Sequence, residues 1–249
     1  MENFRVVIPA RFDSSRLPGK ALMLLAGKPM LQWVHERARA SAASEVIVAT
    51  DDERIAVAAR GFGAEVAMTA RTHVSGTDRI AEVAVARGWA DADIVVNVQG
   101  DEPLIPPRVI DQVADLLGAN TRADIATLAA KIESHNDLAD PNNVKVACDT
   151  GGRALYFSRA PIPFNRDAPT TLSSACLRHV GIYAYRVSAL RKLASLPAAR
   201  LELIEKLEQL RALENGLEIR VALAVERPLA DVNTAADLER AERALLLRP

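Results

Sequence analysis

The sequence of 249 residues balances 31 Lys and Arg against 32 Asp and Glu, giving a formal net charge of -1, and 49% of it is apolar. This near-neutral balance argues against nucleic acid as the main partner, because proteins that grip nucleic acid are usually basic. The two cysteines lack metal-like spacing, the N-terminus lacks a signal-peptide pattern, and no apolar run approaches the ~20 residues of a membrane span, so we expect a cytoplasmic protein without a membrane partner.

The first half of the chain predicts strands that alternate with helices. Short apolar runs predict the strands, and apolar residues at helical spacing predict the helices. In chain order these are a strand at 4–9, a helix at 30–41, a strand at 45–50, a helix at 51–61, a strand at 64–68, a helix at 77–88 capped by Thr77 or Asp78, a strand at 93–99 and a helix at 106–118. Alternation at this spacing is typical of βαβ units, so we expect an α/β fold with a mostly parallel sheet.

The second half predicts a less regular, β-rich arrangement. The predicted elements are strands at 124–132, 144–148, 154–158, 179–185 and 217–225, and helices at 201–216 and 235–247. The pair Gly151-Gly152 is a hairpin signal, and the proline-rich stretch 160–175 predicts a loop or arm. We therefore expect a single domain over 1–249 with a β-rich subregion at about 125–200.

Two loops carry charges that suit a nucleotide. The stretch VIPARFDSSRLPGK (7–20) places Arg11, Arg16 and Lys20 straight after the first strand, and QGDEP (99–103) follows a later one. In parallel sheets both loops lie at the carboxyl edge, where ligands bind. The cations would hold phosphate oxygens, and the acids would hold Mg²⁺ shared with phosphate. The ordinary alternatives are a solvated loop and a helix-capping turn.

Other motifs are absent or remain ambiguous. No P-loop is present, since Lys20 is followed by Ala21, and GFGAEV (61–66) lacks the third glycine of a dinucleotide fingerprint. His179, Tyr183 and Tyr185 share one face of a predicted strand. That alternation fits either a core or subunit contact, or a polar sugar site.

Taken together, the motifs resemble one family over residues 4 to about 245. They are VIPARFDSSRLPGK, AGKPML, IVATDD, SGTDR, VNVQGDEPLIPP, PNNVKV, ALYFSRAPIPF, RHVGIYAYR, LEQLRALENG and VNTAADLERA. The chain resembles the 3-deoxy-manno-octulosonate cytidylyltransferases, also called CMP-Kdo synthetases. The resemblance implies a Rossmann-like nucleotidyltransferase fold with a smaller β-rich dimerisation subregion. It also implies a homodimer and transfer of CMP from CTP to the acid sugar Kdo, for lipopolysaccharide synthesis.

The resemblance also implies roles for individual residues. Arg11, Lys20 and Asp101 would be catalytic, with Asp101 binding Mg²⁺. The CTP site would be formed by Pro9, Ala10, Arg11, Arg16, Lys20, Ser75 and Gly76. The sugar site would be formed by Gln99, Arg159, His179, Tyr183, Glu208 and Gln209, with Arg79 near the active site.

Two departures from the family pattern affect these expectations. Asn233 stands where the family has an Asp that helps to hold metal, and Asp231 is an alternative ligand two residues earlier. The loop at 166–177 is short, which puts the dimer arm or the sugar-side lid in doubt. Two alternatives stay open: a cytidylyltransferase for amino-Kdo or sialic acid, and a CTP-binding paralogue with weakened metal binding.

Overall fold

The computed structural model describes residues 3–12, 17–73, 75–168, 171–226 and 231–246. The strands are β1 (Phe4–Ala10), β2 (Leu24–Leu25), β3 (Lys28–Pro29), β4 (Glu45–Thr50), β5 (Glu65–Met68), β6 (Ile94–Asn97), β7 (Ile125–Lys131), β8 (Lys145–Cys148), β9 (Ala154–Ser158), β10 (Leu177–Arg186) and β11 (Ile219–Leu223). The helices are α1 (Met30–Arg39), α2 (Glu53–Gly61), α3 (Gly76–Ala86), α4 (Pro107–Ala119), α5 (His135–Ala139), α6 (Val187–Ser195), α7 (Arg200–Glu205), α8 (Gln209–Glu214) and α9 (Ala235–Leu246).

The central sheet has the strand order β11-β7-β10-β6-β1-β4-β5. Strands β6, β1, β4 and β5 are parallel, as the alternation of strands and helices predicts. Strand β10 enters antiparallel between β6 and β7, and the β8–β9 hairpin extends from it. The α/β prediction with a mostly parallel sheet and a β-rich subregion is confirmed.

Helices cover both faces of this sheet. Val6 and Ile8 of β1 pack in one cluster with α1 and α4, whereas Val7 packs on the other face with α3 and α6. Alternate residues of a strand point to opposite faces, so a strand buried on both sides must be apolar throughout. The continuous apolar run of β1 follows from this position at the centre of the sheet.

The hairpin signal at Gly152 is also confirmed. Gly152 has a φ of 81°, and a Cβ built there would lie 2.9 Å from the carbonyl oxygen of Val221. Only glycine combines that backbone conformation with so close an approach. Neither helix nor strand is present in residues 160–168 or 171–176, as expected for a loop.

Two element predictions were wrong in detail. The helix at 77–88 is capped by Ser75, whose Oγ accepts from the backbone N–H of Asp78 at 3.1 Å, rather than by Thr77 or Asp78. The single helix at 201–216 is two helices, because Lys206 adopts a left-handed φ of 55° between α7 and α8. The break buries Leu207 in the core. No Gly or Pro marks that break in the sequence.

Helices α5 and α6 and the β2–β3 pair were not predicted. Helix α6 follows β10 directly and buries Val187, Ala189, Leu190 and Leu193. Among the described residues, no helix combines the length and the apolar character needed to cross a bilayer.

Candidate active site

The opening loop and the loop after β6 meet through a charge pair. The Lys20 ammonium donates to Oδ2 of Asp101 at 2.6 Å and to the carbonyl oxygen of Val232 at 3.1 Å. The backbone N–H of Val232 in turn donates to the carbonyl oxygen of Asp101 at 3.0 Å. Three segments that are distant in sequence therefore converge at the carboxyl edge of the sheet, as parallel strands direct their following loops to one edge.

Phe12 and Gly19 lie at the two ends of the opening loop, where a backbone hydrogen bond joins them; this pair is called the loop neck. The Gly19 N–H donates to the carbonyl oxygen of Phe12 at 2.9 Å, and Gly19 has a φ of 69°. The Arg54 guanidinium lies 3.3 Å from the centroid of the Phe12 ring, on which Gly19 also packs. Lys20 then begins a short 3₁₀ turn, Lys20–Leu22. The predicted phosphate ligand Arg16 lies outside the described residues.

The residues expected to form the nucleotide site pack closely around the end of β1. A Cβ built at Gly76 would lie 3.2 Å from Cγ of Pro9, and one at Gly100 would lie 3.1 Å from the Pro9 carbonyl oxygen. Ser75 and Gly76 begin α3, beside Pro9, and Ala10 is buried. The structure thus brings Pro9, Ser75 and Gly76 together at the N-terminus of α3.

Arg11 lines a polar cavity of about 330 Å³ beyond the ends of β1 and β4. Both acids of this cavity have arginine partners. Arg54 makes bonds of 2.9 and 2.6 Å to the two oxygens of Asp52 and, as the largest cause, lowers the pKa of that carboxyl to about 2. Asp51 accepts from Nη2 of Arg79 at 3.0 Å.

Arg79 is completely buried, although it was expected near the active site. It binds Asp51 and the Thr69 hydroxyl, so it fixes the loops that follow β4 and β5. Among the described residues its Nε has no hydrogen-bond partner. Any effect of Arg79 on a substrate would act through these loops.

A second, smaller cavity of about 190 Å³ lies where α3, β6, β10 and α8 meet. Its lining residues are Gly76, Thr77, Asn97, Gln99, Ile125, Tyr183, Tyr185, Leu193, Glu208, Gln209 and Ala212. Gln99, Tyr183, Glu208 and Gln209, which were expected to face a sugar, lie together here. Because α7 ends at the left-handed Lys206, a new helix, α8, begins at Gln209, directly after Glu208.

Thr77, Glu208 and two tyrosines supply polar groups to this cavity. The Thr77 hydroxyl donates to the Glu208 carboxylate. The rings of Tyr183 and Tyr185 stack with centroids 5.6 Å apart. Burial, followed by the neighbouring Tyr185 and Glu208, raises the pKa of Tyr183 well above its usual value. Burial, followed by Glu208, also raises the pKa of Tyr185. Both phenols are therefore neutral donors at physiological pH.

His179 adjoins this cavity through Tyr183, whose ring centroid is 5.2 Å away. The Thr127 hydroxyl lies 3.0 Å from Nε2 of His179 and 2.7 Å from the carbonyl oxygen of Ile182. Because a hydroxyl has one proton, donation to Ile182 assigns the imidazole proton to Nε2. Burial, aided by Arg178, lowers the pKa of His179 to about 3, so the ring is neutral.

Arg159 is held by backbone carbonyls at the end of β9. Its Nε donates to the Glu205 oxygen at 2.7 Å and its Nη1 to the Pro141 oxygen at 2.9 Å. The carbonyl of Arg159 accepts from the ammonium of Lys145, which is completely buried. The arrangement fixes the backbone and the side-chain stem of Arg159.

Carboxyl groups crowd around the Lys20–Asp101 pair. Burial, then Asp231 and Asp101, raises the pKa of Glu102 well above normal. Desolvation by the surrounding protein, then Asp101, raises the pKa of Asp231 to about 6, although Lys20 and Arg178 oppose the shift. Oε2 of Glu102 is buried and has no hydrogen-bond partner in the described part of the chain.

This donor set fits Mg²⁺ that is shared with a phosphate, because Mg²⁺ binds through one or two carboxylates together with substrate oxygens. In the described ranges, no group of three or more His, Cys, Asp or Glu side chains is arranged to hold a metal ion. An ion here would need oxygens from a nucleotide. Asn233 directly follows Val232, and its backbone N–H donates to Asp237 at 3.0 Å.

Sequence reasoning missed Thr77 and Asn97 as residues of the smaller cavity, whereas Tyr185 was already noted on the strand face of His179 and Tyr183. Asn97 carried a signal, since it is a polar residue inside the apolar run IVVNV. Such a residue is buried when the strand is central, and a buried amide needs hydrogen-bond partners.

Comparisons with known proteins agree over nearly the whole chain. A family model described as "Cytidylyltransferase" matches residues 5–219. A 3-deoxy-manno-octulosonate cytidylyltransferase of Thioalkalivibrio sulfidiphilus is 52% identical over 98% of this chain and 99% of its own length. One of Pseudomonas fluorescens is 56% identical over 97% and 98%.

Solved structures show the same fold. The structure of CMP:2-keto-3-deoxy-manno-octonic acid synthetase complexed with CTP matches with a TM-score of 0.92 and 42% identity, over 100% of both chains. A cytidylyltransferase from Leptospira borgpetersenii matches with a TM-score of 0.65 and 20% identity, over 99% of this chain and 87% of that one, which shows the fold alone.

Proposed function

The chain belongs to the 3-deoxy-manno-octulosonate cytidylyltransferase family, and from that premise we propose that it transfers CMP from CTP to the anomeric hydroxyl of Kdo, with release of pyrophosphate. One observation supports this most directly. The Lys20–Asp101 pair lies at the carboxyl edge of the sheet, where a cation for phosphate and a carboxylate for metal are 2.6 Å apart. A separate cavity of about 190 Å³, lined by Gly76, Gln99 and Glu208, would receive the sugar.

The proposed reaction is an in-line substitution at the α-phosphorus. The sugar oxygen forms a bond to phosphorus, the bond to the bridging oxygen of the β-phosphate breaks, and the hydroxyl proton leaves to solvent. Arg11 and Lys20, with Arg16, would hold the phosphate oxygens and stabilise the charge of the leaving pyrophosphate. Such transfers depend mainly on positioning and electrostatics, so no strong side-chain base is required.

Asp101 and Asn233 would hold Mg²⁺, with Asp231 as the alternative to Asn233. When bound, the ion would neutralise phosphate charge and lower the pKa of the attacking hydroxyl. Asn233 can still supply a neutral oxygen. Asp231, with a pKa of about 6, stays mostly ionised at neutral pH and keeps a negative charge nearby, whereas the raised pKa of Glu102 favours its neutral form. The base would lie against Pro9, Ala10, Ser75 and Gly76.

The sugar would contact Gln99, Arg159, His179, Tyr183, Glu208 and Gln209. A neutral His179 can exchange hydrogen bonds with hydroxyls but cannot balance the sugar carboxylate. That charge is instead left to arginine, for which Arg159 is the proposed partner. Arg79 would act indirectly, through Asp51.

We further propose a single-domain cytoplasmic enzyme that acts as a homodimer and supplies CMP-Kdo for lipopolysaccharide synthesis. The proposed dimer contact is the β-rich subregion with the arm around 160–190. Leu155 and Phe164 of this region are 54% and 76% exposed. If these side chains form one contiguous apolar patch, that patch would suit a protein contact.

A coupled pyrophosphate-release assay tests the function, with CTP, Mg²⁺ and Kdo, amino-Kdo or sialic acid as acceptor. We expect turnover with Kdo at the highest kcat/KM. Faster turnover with another acid sugar would reassign the substrate. Tight CTP binding without turnover of any sugar would favour the paralogue that Asn233 suggests, and would overturn the proposal.

A further inference from the structure

The smaller cavity contains a buried acceptor without a partner. Asn97 is the last residue of β6 and is 2% exposed. Its Oδ1 has no hydrogen-bond partner among the residues that the structure describes. Buried side-chain oxygens in native proteins nearly always have a partner, so an unpartnered one in a cavity wall indicates a ligand group.

The strand register directs Asn97 into this cavity. Asn97 pairs with Tyr183 across the antiparallel β6–β10 ladder. Residues directly opposite each other in such a ladder project to the same face of the sheet. Both residues line the cavity, as do Tyr185 and Glu208.

The neighbouring groups determine what kind of ligand atom would complete this site. Glu208 is an acceptor whose contact with Thr77 uses one hydroxyl proton, and Oδ1 of Asn97 is a second acceptor. Acceptors on the wall select a ligand that brings donors, and each hydroxyl of a sugar is a donor. A carbonyl or an ether oxygen has no proton to donate and would leave Oδ1 of Asn97 unpaired.

We propose that Asn97 determines specificity by accepting, through Oδ1, a hydrogen bond from one hydroxyl of the acid sugar. The inference rests on the proposed function and assigns a discriminating contact within the same cavity. A site built to bind a hydroxyl rejects the analogue that lacks it, because the buried protein group is then unpaired. The proposed contact of Asn97 is therefore with the sugar.

The test combines Asn97→Leu with a series of Kdo analogues that each lack one hydroxyl. For Kdo itself we expect kcat/KM to fall about 10- to 100-fold in Asn97→Leu, with the KM for CTP within about twofold of wild type. In wild type, one deoxy analogue should show a similar loss. In Asn97→Leu, that same analogue should show no further loss, because the contact is already absent.

Asn136→Leu is the matched control, since Asn136 lies on the exposed surface of α5. For each analogue, the ratio of its kcat/KM to that of Kdo should be the same in Asn136→Leu as in wild type. If Asn97→Leu does not fold, as judged by its melting transition, Asn97→Ser is measured with the same series of analogues instead. Equal penalties for every deoxy analogue in wild type and variant would overturn the proposal. Failure of the proposed function looks different, because wild type would then turn over no acid sugar.

Discussion

The ammonium of Lys20 lies 2.6 Å from the carboxylate of Asp101, although 81 residues separate them in sequence. The side chains are 16% and 23% exposed, so water screens this pair only in part. A triphosphate entering the site would compete with Asp101 for Lys20 and would leave that carboxylate available to a cation.

Asp101→Asn should abolish turnover while weakening CTP binding much less. The amide keeps the shape of the side chain but removes the charge that would hold Mg²⁺, whereas Lys20 remains to bind phosphate. We expect kcat to fall at least about 100-fold and the Kd of CTP to change less than about fivefold. Steady-state kinetics and calorimetry measure the two quantities, and Glu239→Gln on the exposed face of α9 is the control. Full activity of Asp101→Asn would refute the metal assignment.

Asn233→Asp should keep or raise activity and lower the Mg²⁺ concentration needed for half-maximal rate. The substitution adds one negative charge next to Val232, whose carbonyl accepts from Lys20 and whose N–H donates to Asp101. A further carboxylate strengthens the binding of a hard cation. Rates titrated against Mg²⁺ measure the effect, with Asn136→Asp, exposed on α5, as the control. A large loss of activity would show that the site is built differently from that of the family.

Gly19→Ala should weaken both stability and CTP binding. Gly19 has a φ of 69°, and an added Cβ would lie 3.2 Å from the Phe12 ring. We expect a loss of about 1–2 kcal/mol in the free energy of unfolding, together with a higher KM for CTP. Urea denaturation and kinetics test this. Gly61→Ala is the matched control, because nothing lies within 4 Å of its added Cβ. An unchanged KM would mean that the loop neck does not position Lys20.

His179→Gln should make stability less sensitive to acid. The folded-state pKa of about 3 lies below the ordinary 6.5, so the unfolded chain binds the additional proton. The contribution of His179 to the free energy of unfolding is therefore fully present above about pH 6.5. Below that pH it falls by about 1.4 kcal/mol per pH unit. Between about pH 7.5 and pH 5, wild type should lose about 2 kcal/mol more than the variant. Urea denaturation at both pH values tests this, and His135→Gln, exposed on α5, should behave as wild type.

Lys145→Met should impair use of the sugar more than use of CTP. The buried ammonium donates to the carbonyls of Asp140 at 3.0 Å, Asn143 at 2.6 Å and Arg159. Without it, these oxygens lose their donor and the end of β9 loosens, so stability should fall by about 2 kcal/mol. We expect the KM for Kdo to rise about tenfold with a KM for CTP within about twofold. Lys131→Met, exposed on β7, is the control; equal rises in both KM values would indicate general destabilisation.

Much of the fold could be predicted because local patterns carry it. The run FRVVIP is apolar except for Arg5, and the structure makes it the central strand β1. The helix ending at Gly61 and the hairpin at Gly152 also follow from residues close in sequence. The left-handed turn at Lys206 could not be predicted, because burial of Leu207 and not local preference holds it.

The sequence by itself determined the alternation of strands and helices, the position of Arg11, Lys20 and Asp101 at one sheet edge, and the family resemblance. These depend on periodicity and on residue order, which are local properties. Only the tertiary structure decided that Val232 brings Asn233 to the Lys20–Asp101 pair, that Arg79 is buried on Asp51, and that Asn97 faces Tyr183 in a cavity. Those contacts depend on strand register and helix packing between distant segments, which no local pattern encodes.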